Sequence, residues 1–390
     1  MTRILRDNKV DNIKYSLVEE EIREEIKKSN EQLNILNYYI QILEFSKGVI
    51  SENLDNTEFT IEDVNKIKTE DEKLNRAKNI YIDFESIGYT KEYLNEGIEQ
   101  YNDFINYHFN IDFNGRTSND NIYDINDTDY GDSNINNIKD SESHSTHVSG
   151  IISGDRNNKK GNKGINNLVE IMALRAIPNG DEYDKDVARA IRYAVDNGAK
   201  IINGSFGKYF SSNPEWVIDA IRYASKNDVL VVAAAGNESK DLDLLSNDNY
   251  PNDQFFNKNE FSDTFIKVGA STINLNENFT AYFSNYGKIN VDIFAPGVDI
   301  YSSVPNDKYK FQDGTSMASP VVSGIASLIM SYFPKLSAKK VKEIILKSGI
   351  DIDLKIGNLG SNKHFREYSK SGKLINAYNA LILASKSKRE

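Results

Sequence analysis

The chain has no cysteine among its 390 residues. That excludes a disulfide framework, a thiol nucleophile and a thiolate-held metal, and it suits an oxidising or a reducing compartment equally. Long apolar runs are also missing. No stretch approaches the ~20 residues a membrane-spanning helix needs. The first ten residues, Met1 to Val10, contain no apolar core of a secretory leader, which at face value points to the cytoplasm. Cations are in deficit, 47 Lys and Arg against 58 Asp and Glu, for a net charge of −11. That balance disfavours nucleic acid or an anionic membrane surface as the main partner. Histidine is scarce, with four in the chain, so two of them three positions apart carry weight.

Apolar residues make up 39% of the chain, enough for a substantial core, and the length suits two or three units or one large domain carrying an insertion. Residues 1–104 read as helical and charged. Val18, Ile22, Ile26, Leu33, Leu36, Ile40 and Leu43 form one apolar stripe at helical spacing. Thr60-Ile-Glu-Asp63 has the form of a capping box, with an aspartate in place of the usual glutamate, and Thr90 is placed to cap a further helix. This region is expected to be a helical hairpin docked on a larger domain, because the stripe covers too few heptads for an independent coiled coil. Residues 105–143 are rich in Asn and Asp. They could hold calcium, but lack the Asp-x-Asp-x-Asp-Gly spacing of a calcium loop, so a solvated loop is expected and no metal or cofactor is required.

From residue 144 the pattern changes. Ile171–Ile177, Lys200–Asn203, Val229–Ala235, Phe265–Ala270 and Val291–Phe294 read as buried strands, and Asp186–Asn197, Pro214–Lys226 and Ser337–Lys347 as helices. Pro214 suits a first helical turn and Ser337 an N-cap. Alternating strands and helices predict an α/β fold with a doubly wound, mostly parallel sheet covered on both faces. Active sites in such sheets lie beyond the carboxyl ends of the strands, which directs attention to the loops after Asn203 and Ala235.

Three segments carry chemistry. In Ser141-Glu-Ser-His144-Ser-Thr-His147-Val-Ser-Gly150 two histidines sit at i and i+3, without the His-Glu-x-x-His pattern of a metal site. In Gly314-Thr-Ser316-Met-Ala-Ser-Pro320 a serine follows a Gly-Thr turn and precedes the apolar helix Val321–Phe333. Such a serine is either a cap or a nucleophile whose developing charge the helix dipole favours. In Ala233-Ala-Ala-Gly236-Asn237-Glu238 a small-residue strand ends in an exposed amide, which suits a Gly-Asn turn or an oxyanion donor.

Taken together, the segments resemble the subtilisin-like serine proteases. His144-Ser-Thr-His147-Val-Ser-Gly150 resembles the family's His motif, 314–320 its complete Ser motif, and Ala234–Asn237 its oxyanion motif. Ser205-Phe-Gly207 and Ala295–Ser302 match two further stretches, and the likeness extends over about residues 105–380. The resemblance implies that Ser316 attacks the peptide carbonyl and that His144 moves the proton. It implies that Asn237 and the Ser316 N–H hold the oxyanion, that Ser205, Phe206 and Gly207 pair with the substrate backbone, and that they form the walls of the P1 pocket with Ala234, Ala235 and Gly236. His147 is then a packed, non-catalytic residue. Polypeptides are the implied partners.

The family's triad also has an aspartate ending an apolar strand upstream of the histidine. No such strand is legible in residues 1–143. Ile80-Tyr-Ile-Asp83 is the nearest string but sits in a helical pattern, and Asp124, Asp127 and Asp129 follow no apolar strand. A bacterial branch of the family inserts helices between the Asp strand and the His helix. Residues 1–104 resemble the later part of that insertion, with a connector at 107–113 and a peptidase core over 105–390 that lacks its central Asp strand. On that reading Met1 is internal, and the Asp strand belongs to a separate upstream segment. The expected activity of the chain alone is weak or absent, and the complete protein would be secreted or held in the envelope. Ser145, Gly204 and Asp313 depart from the family pattern. A non-catalytic peptide-binding relative, or a helical interaction module on a protease remnant, are the competing expectations.

Overall fold

The computed structural model describes residues 12–110, 112–113, 115–116, 118–136, 142–177, 182–254, 259–357 and 363–387, the side chains of 12–18 and 21 excepted. The opening residues 1–10, Val18's side chain and Ile111 of the connector therefore lie outside the described set. The chain divides into two compact units, one of residues 1–117 with 178–181 and one of 118–177 with 182–390.

The first unit is helical: α1 (Asn12–Leu54), α2 (Ile61–Lys66), α3 (Glu72–Ser86) and α4 (Lys91–Asp103). Thr60 caps α2 reciprocally. Its Oγ1 accepts the Asp63 N–H at 3.3 Å while the Asp63 carboxylate accepts the Thr60 N–H at 3.1 Å. Asp71 and Thr90 cap α3 and α4 one way only, their side chains accepting the Leu74 and Tyr93 N–H groups. Of the long α1 stripe, Leu43 is fully buried. The core forms lower on the helix, where Leu43 and Ile50 meet Val64, Leu74, Ala77, Tyr81 and Leu94. Each fully buried large apolar side chain contributes about 1.5–3 kcal/mol. The hairpin is thus a four-helix cluster. Asp83 lies inside α3, on a helix rather than at a strand end.

The second unit holds a six-stranded sheet ordered β1 (Ile201–Gly204), β2 (Leu230–Ala234), β3 (Phe265–Ser271), β4 (Ile293–Pro296), β8 (Lys373–Leu374) and β7 (Ile350–Asp351). The first five run parallel and β7 is antiparallel to β8. A separate hairpin pairs β5 (Ile300–Val304) with β6 (Lys308–Gln312). Strand alternation divides the core. Leu230 and Val232 pack with Val322 and Ile329 of α8 (Thr315–Tyr332) and with α9 (Ala338–Ser348) and α10 (Ala377–Lys386). Val231 and Ala233 point the other way, onto α6 (Asp184–Asp196) and α7 (Pro214–Lys226). The remaining helix, α5 (His144–Ser153), packs on α8 and β5.

One expected strand is absent. Residues 171–177 carry no strand, and Ile171, Met172 and Leu174 are 42%, 41% and 38% exposed. An apolar run becomes a strand only when a neighbour accepts its backbone. Among the described residues this run has none, and β1 is the sheet edge, paired on one side alone. Ile201–Asn203 are accordingly half-buried, where β2 is buried throughout.

Candidate active site

Ser316 is the second residue of α8, and the preceding Gly314 holds φ at 151°. The helix is entered through a lock with the loop after β2. Asn237 Oδ1 accepts the Thr315 N–H and the Thr315 hydroxyl, both at 2.9 Å. The same hydroxyl accepts the Gly236 N–H at 3.0 Å. Two donors on one oxygen fix the amide's orientation, so Asn237 Nδ2 is turned outward beside the first turn of α8. A Cβ built on Gly314 would lie 3.6 Å from that nitrogen. The first N–H groups of a helix lack intrahelical acceptors, so the Ser316 N–H and Asn237 Nδ2 are both available to a developing oxyanion.

A second network joins Ser316 to the loop after β1. Ser205 Oγ donates to the Ser316 carbonyl at 2.8 Å and Ser316 Oγ donates to the Ser205 carbonyl at 3.2 Å. Asn203 underlies both. Its Nδ2 donates to Ser205 Oγ at 2.9 Å while its Oδ1 accepts from Ser319 and Ser323 of α8, each at 2.8 Å. Phe206 packs its ring against Gly204, where a Cβ would come within 3.3 Å of Cε1, so the glycine makes room for the aromatic.

His144 opens α5. Val148 and Ile151 on that helix meet Met317 on α8, and Gln312 Nε2 donates to Ser143 Oγ at 3.1 Å. The first turns of the two helices are therefore held beside one another, with Ser143 and Gln312 each within four residues of His144 and Ser316 respectively. Gly150 permits the close seat of α5, since a Cβ there would sit 2.4 Å from both Ser302 Oγ and Ser303 Oγ. His144 is open to solvent by surface area, yet the surrounding protein is dense enough to lower its pKa, first by desolvation and second through His147. Among the described residues no hydrogen bond joins His144 to Ser316, and no carboxylate pairs with His144. His147 is fully buried, its Nε2 3.1 Å from the Lys310 carbonyl.

Two of the three aspartates of the polar loop are committed to that loop's own backbone. Asp124 and Asp127 accept backbone N–H groups of their own loop, from Asn126 at 2.9 Å and Asn121 at 2.7 Å. Asp313 caps an adjacent turn, accepting the Asp299 N–H at 2.7 Å. Three residues of the site carry no signal in the sequence: Asn203, Thr315 and Asn285. Buried Asn285 donates to the Ala235 carbonyl at 2.8 Å and accepts the Glu238 and Lys240 N–H groups at 3.2 and 2.8 Å, shaping the loop that carries Asn237. Thr315 lies inside the serine segment, where a threonine before a serine carries no signal of its own, and nothing local marks Asn203 or Asn285.

Comparisons with known proteins agree with this architecture. The subtilase family model matches residues 51–370. A thermophilic serine proteinase of Bacillus sp. strain AK1 is 36% identical over 261 residues, 66% of this chain and 55% of that protein. A cell wall-associated protease of Bacillus subtilis is 35% identical over 234 residues, 60% of this chain and 24% of that protein. The chain thus spans about half, and about a quarter, of the lengths of these relatives. A solved structure from the assembly of the subtilase cytotoxin SubAB aligns with a TM-score of 0.51 and 25% identity, over 63% of this chain and 77% of that one. With the family model covering most of its length, and with an α/β sheet that delivers the serine at a helix start beside an oriented asparagine, this chain belongs to the subtilase family.

Proposed function

We propose that the chain carries the nucleophile, base and oxyanion site of a serine endopeptidase acting on polypeptides. Ser316 Oγ attacks the peptide carbonyl, His144 takes its proton and returns it to the leaving amine, and Asn237 Nδ2 with the Ser316 N–H binds the oxyanion. Ser205–Gly207 and Ala234–Gly236 form the walls of the pocket that takes the substrate's P1 side chain. The observation that carries the reading is the double acceptance by Asn237 Oδ1, which leaves the amide donors aimed outward beside the serine. A Gly-Asn turn needs no such lock.

In the resting arrangement Ser316 Oγ bonds to Ser205 rather than to His144, and no described carboxylate orients the imidazole. Both features support weak activity for residues 1–390 alone. A triad without its aspartate loses roughly 10⁴ in rate by analogy with other serine proteases. We take the missing aspartate to reside on a strand additional to the eight described, pairing with the open side of β1 and covering the exposed residues 171–174. Within the same reading, residues 1–104 are a helical insertion, 105–390 the peptidase core, and the complete protein works outside the cytoplasm, as the name of the cell wall-associated relative suggests.

A fluorophosphonate probe tests the assignment. Labelling at Ser316, absent in Ser316→Ala, is expected, slow for this chain and faster when an Asp-bearing strand peptide is supplied. Failure to label with that peptide present would favour the non-catalytic alternative, a cleft that binds peptides without cutting them. Fast casein hydrolysis by the chain alone, abolished by Ser316→Ala, would overturn the missing-aspartate part.

A further inference from the structure

Lys267 is the anomaly of β3. The strand is buried along its whole length, and this lysine is 2% exposed in its middle. Burial pulls its pKa down to about 7, opposed by Asp253, Asp292 and Asp248. An apolar residue would fill the position at lower cost, because a buried amine must be desolvated. Among the described residues Lys267 Nζ makes no ion pair within 4.0 Å. Both of its hydrogen bonds go to one residue, to Asn249 Oδ1 at 2.7 Å and to the Asn249 carbonyl at 3.3 Å.

Asn249 leads directly to the proposed substrate groove. The next residue, Tyr250, forms an antiparallel bridge with Lys208, its N–H donating to the Lys208 carbonyl at 2.8 Å and its carbonyl accepting the Lys208 N–H at 2.9 Å. Lys208 follows the wall Ser205–Gly207 without a break. Gly207 rests on the same segment, since a Cβ built there would lie 3.1 Å from the Tyr250 carbonyl and 3.4 Å from Asn249 Nδ2. On its other side Lys267 stands in register with Ala233, one residue before the wall Ala234–Gly236. One buried amine therefore ties the strand behind one wall to the segment that supports the other.

We propose that Lys267 is a positioning residue for substrate, clamping Asn249 so that the two walls keep the spacing a P1 side chain needs. The proposal rests on the reading of 205–207 and 234–236 as substrate walls. It predicts that loss of the clamp weakens peptide binding while leaving the nucleophile intact, because Ser316 and Asn237 are held by Thr315 and Asn203 through bonds that do not involve Lys267.

The test compares Lys267→Met, Asn249→Leu and the double variant. The double variant leaves neither polar partner buried alone, so it remains informative if a single variant folds poorly. Peptide affinity is read by anisotropy of fluorescein-labelled Ala-Ala-Ala-Phe-Ala-Ala in a Ser316→Ala background. Nucleophile integrity is read by labelling with a small alkyl fluorophosphonate in the Ser316 background. Each single variant should bind peptide about tenfold more weakly and the double variant no more weakly than the singles, since the two residues act through one contact. Fluorophosphonate labelling should stay within about twofold of the unmodified chain, because the small probe does not use the walls. Unchanged peptide binding, additive losses, or parallel loss of labelling would overturn the proposal. If the unmodified chain does not bind the peptide at all, the wall assignment itself fails.

Discussion

Replacing Thr315 with valine removes one oxygen and almost no volume from a residue that is fully buried. That oxygen makes two bonds, donating to Asn237 Oδ1 at 2.9 Å and accepting the Gly236 N–H at 3.0 Å. In Thr315→Val the Thr315 backbone N–H still reaches Asn237 Oδ1, so the amide keeps one of its two anchors. The Gly236 N–H is left without its acceptor inside the protein. A buried donor in that state costs about 1–3 kcal/mol, and the lost bond to Asn237 about 1 kcal/mol more, so stability should fall by about 2–4 kcal/mol. The functional cost has an upper bound. Removing an oxyanion-hole donor outright costs about 10²–10³ in rate, and a loosened Asn237 should lose part of that, on the order of tenfold. The measurement is the rate of fluorophosphonate labelling at Ser316, because phosphonylation builds negative charge on an oxygen in the same place, with thermal unfolding read in parallel. Thr315→Ser keeps the hydroxyl and should restore both within about twofold. If Thr315→Val labels as fast as the unmodified chain, Asn237 is not held by this lock and its outward Nδ2 loses its explanation.

Further outcomes follow from other contacts. Gly150→Ala should cost about 1–3 kcal/mol in thermal unfolding, because its new methyl must push Ser302 and Ser303 off α5, only 2.4 Å away. Lys185→Met should cost about 1.5–3 kcal/mol and open residues 118–136 to limited proteolysis, since it removes the buried amine that donates to the Asp120 carboxylate at 2.5 Å and to the Asn121 carbonyl at 2.7 Å. The lowered pKa of His144 places the midpoint of the labelling rate against pH below the ordinary 6.5, with the rate rising as the neutral imidazole forms. The same shift contributes stability that is present above 6.5 and lost as pH falls through the folded-state value, because the unfolded chain binds the proton more readily; an acid titration followed by circular dichroism checks the sign.

Much of the fold was readable locally. Capping pairs such as Thr60 with Asp63, the N-caps Thr90 and Ser337, and Pro214 at a first turn mark helix starts that the structure keeps, because caps satisfy backbone donors within a few residues. Strands β1 to β4 also fall within two residues of their expected bounds, since each is a short apolar run bounded by polar residues. Ile171–Ile177 has the same composition and no strand. The hairpin β5–β6 was not expected at all: its residues pair with one another in the burial sequence half-exposed and mixed, without clear alternation.

The residue types of the site, and the local geometry that suits them, are legible in the order of amino acids. A glycine and threonine set the serine at a helix start, small residues end β2 in an amide, and a glycine six residues after His144 seats its helix close. Which atoms of those residues are free to act depends on contacts made across the fold. Asn237 Nδ2 is available because Thr315, from another element, occupies its oxygen, and Asn203 and Asn285 matter because they bridge segments far apart in the chain. The strand fate of 171–177 was decided the same way. Composition can make a segment able to pair, but a backbone neighbour has to be there for it to do so, and among the described residues none stands beside it.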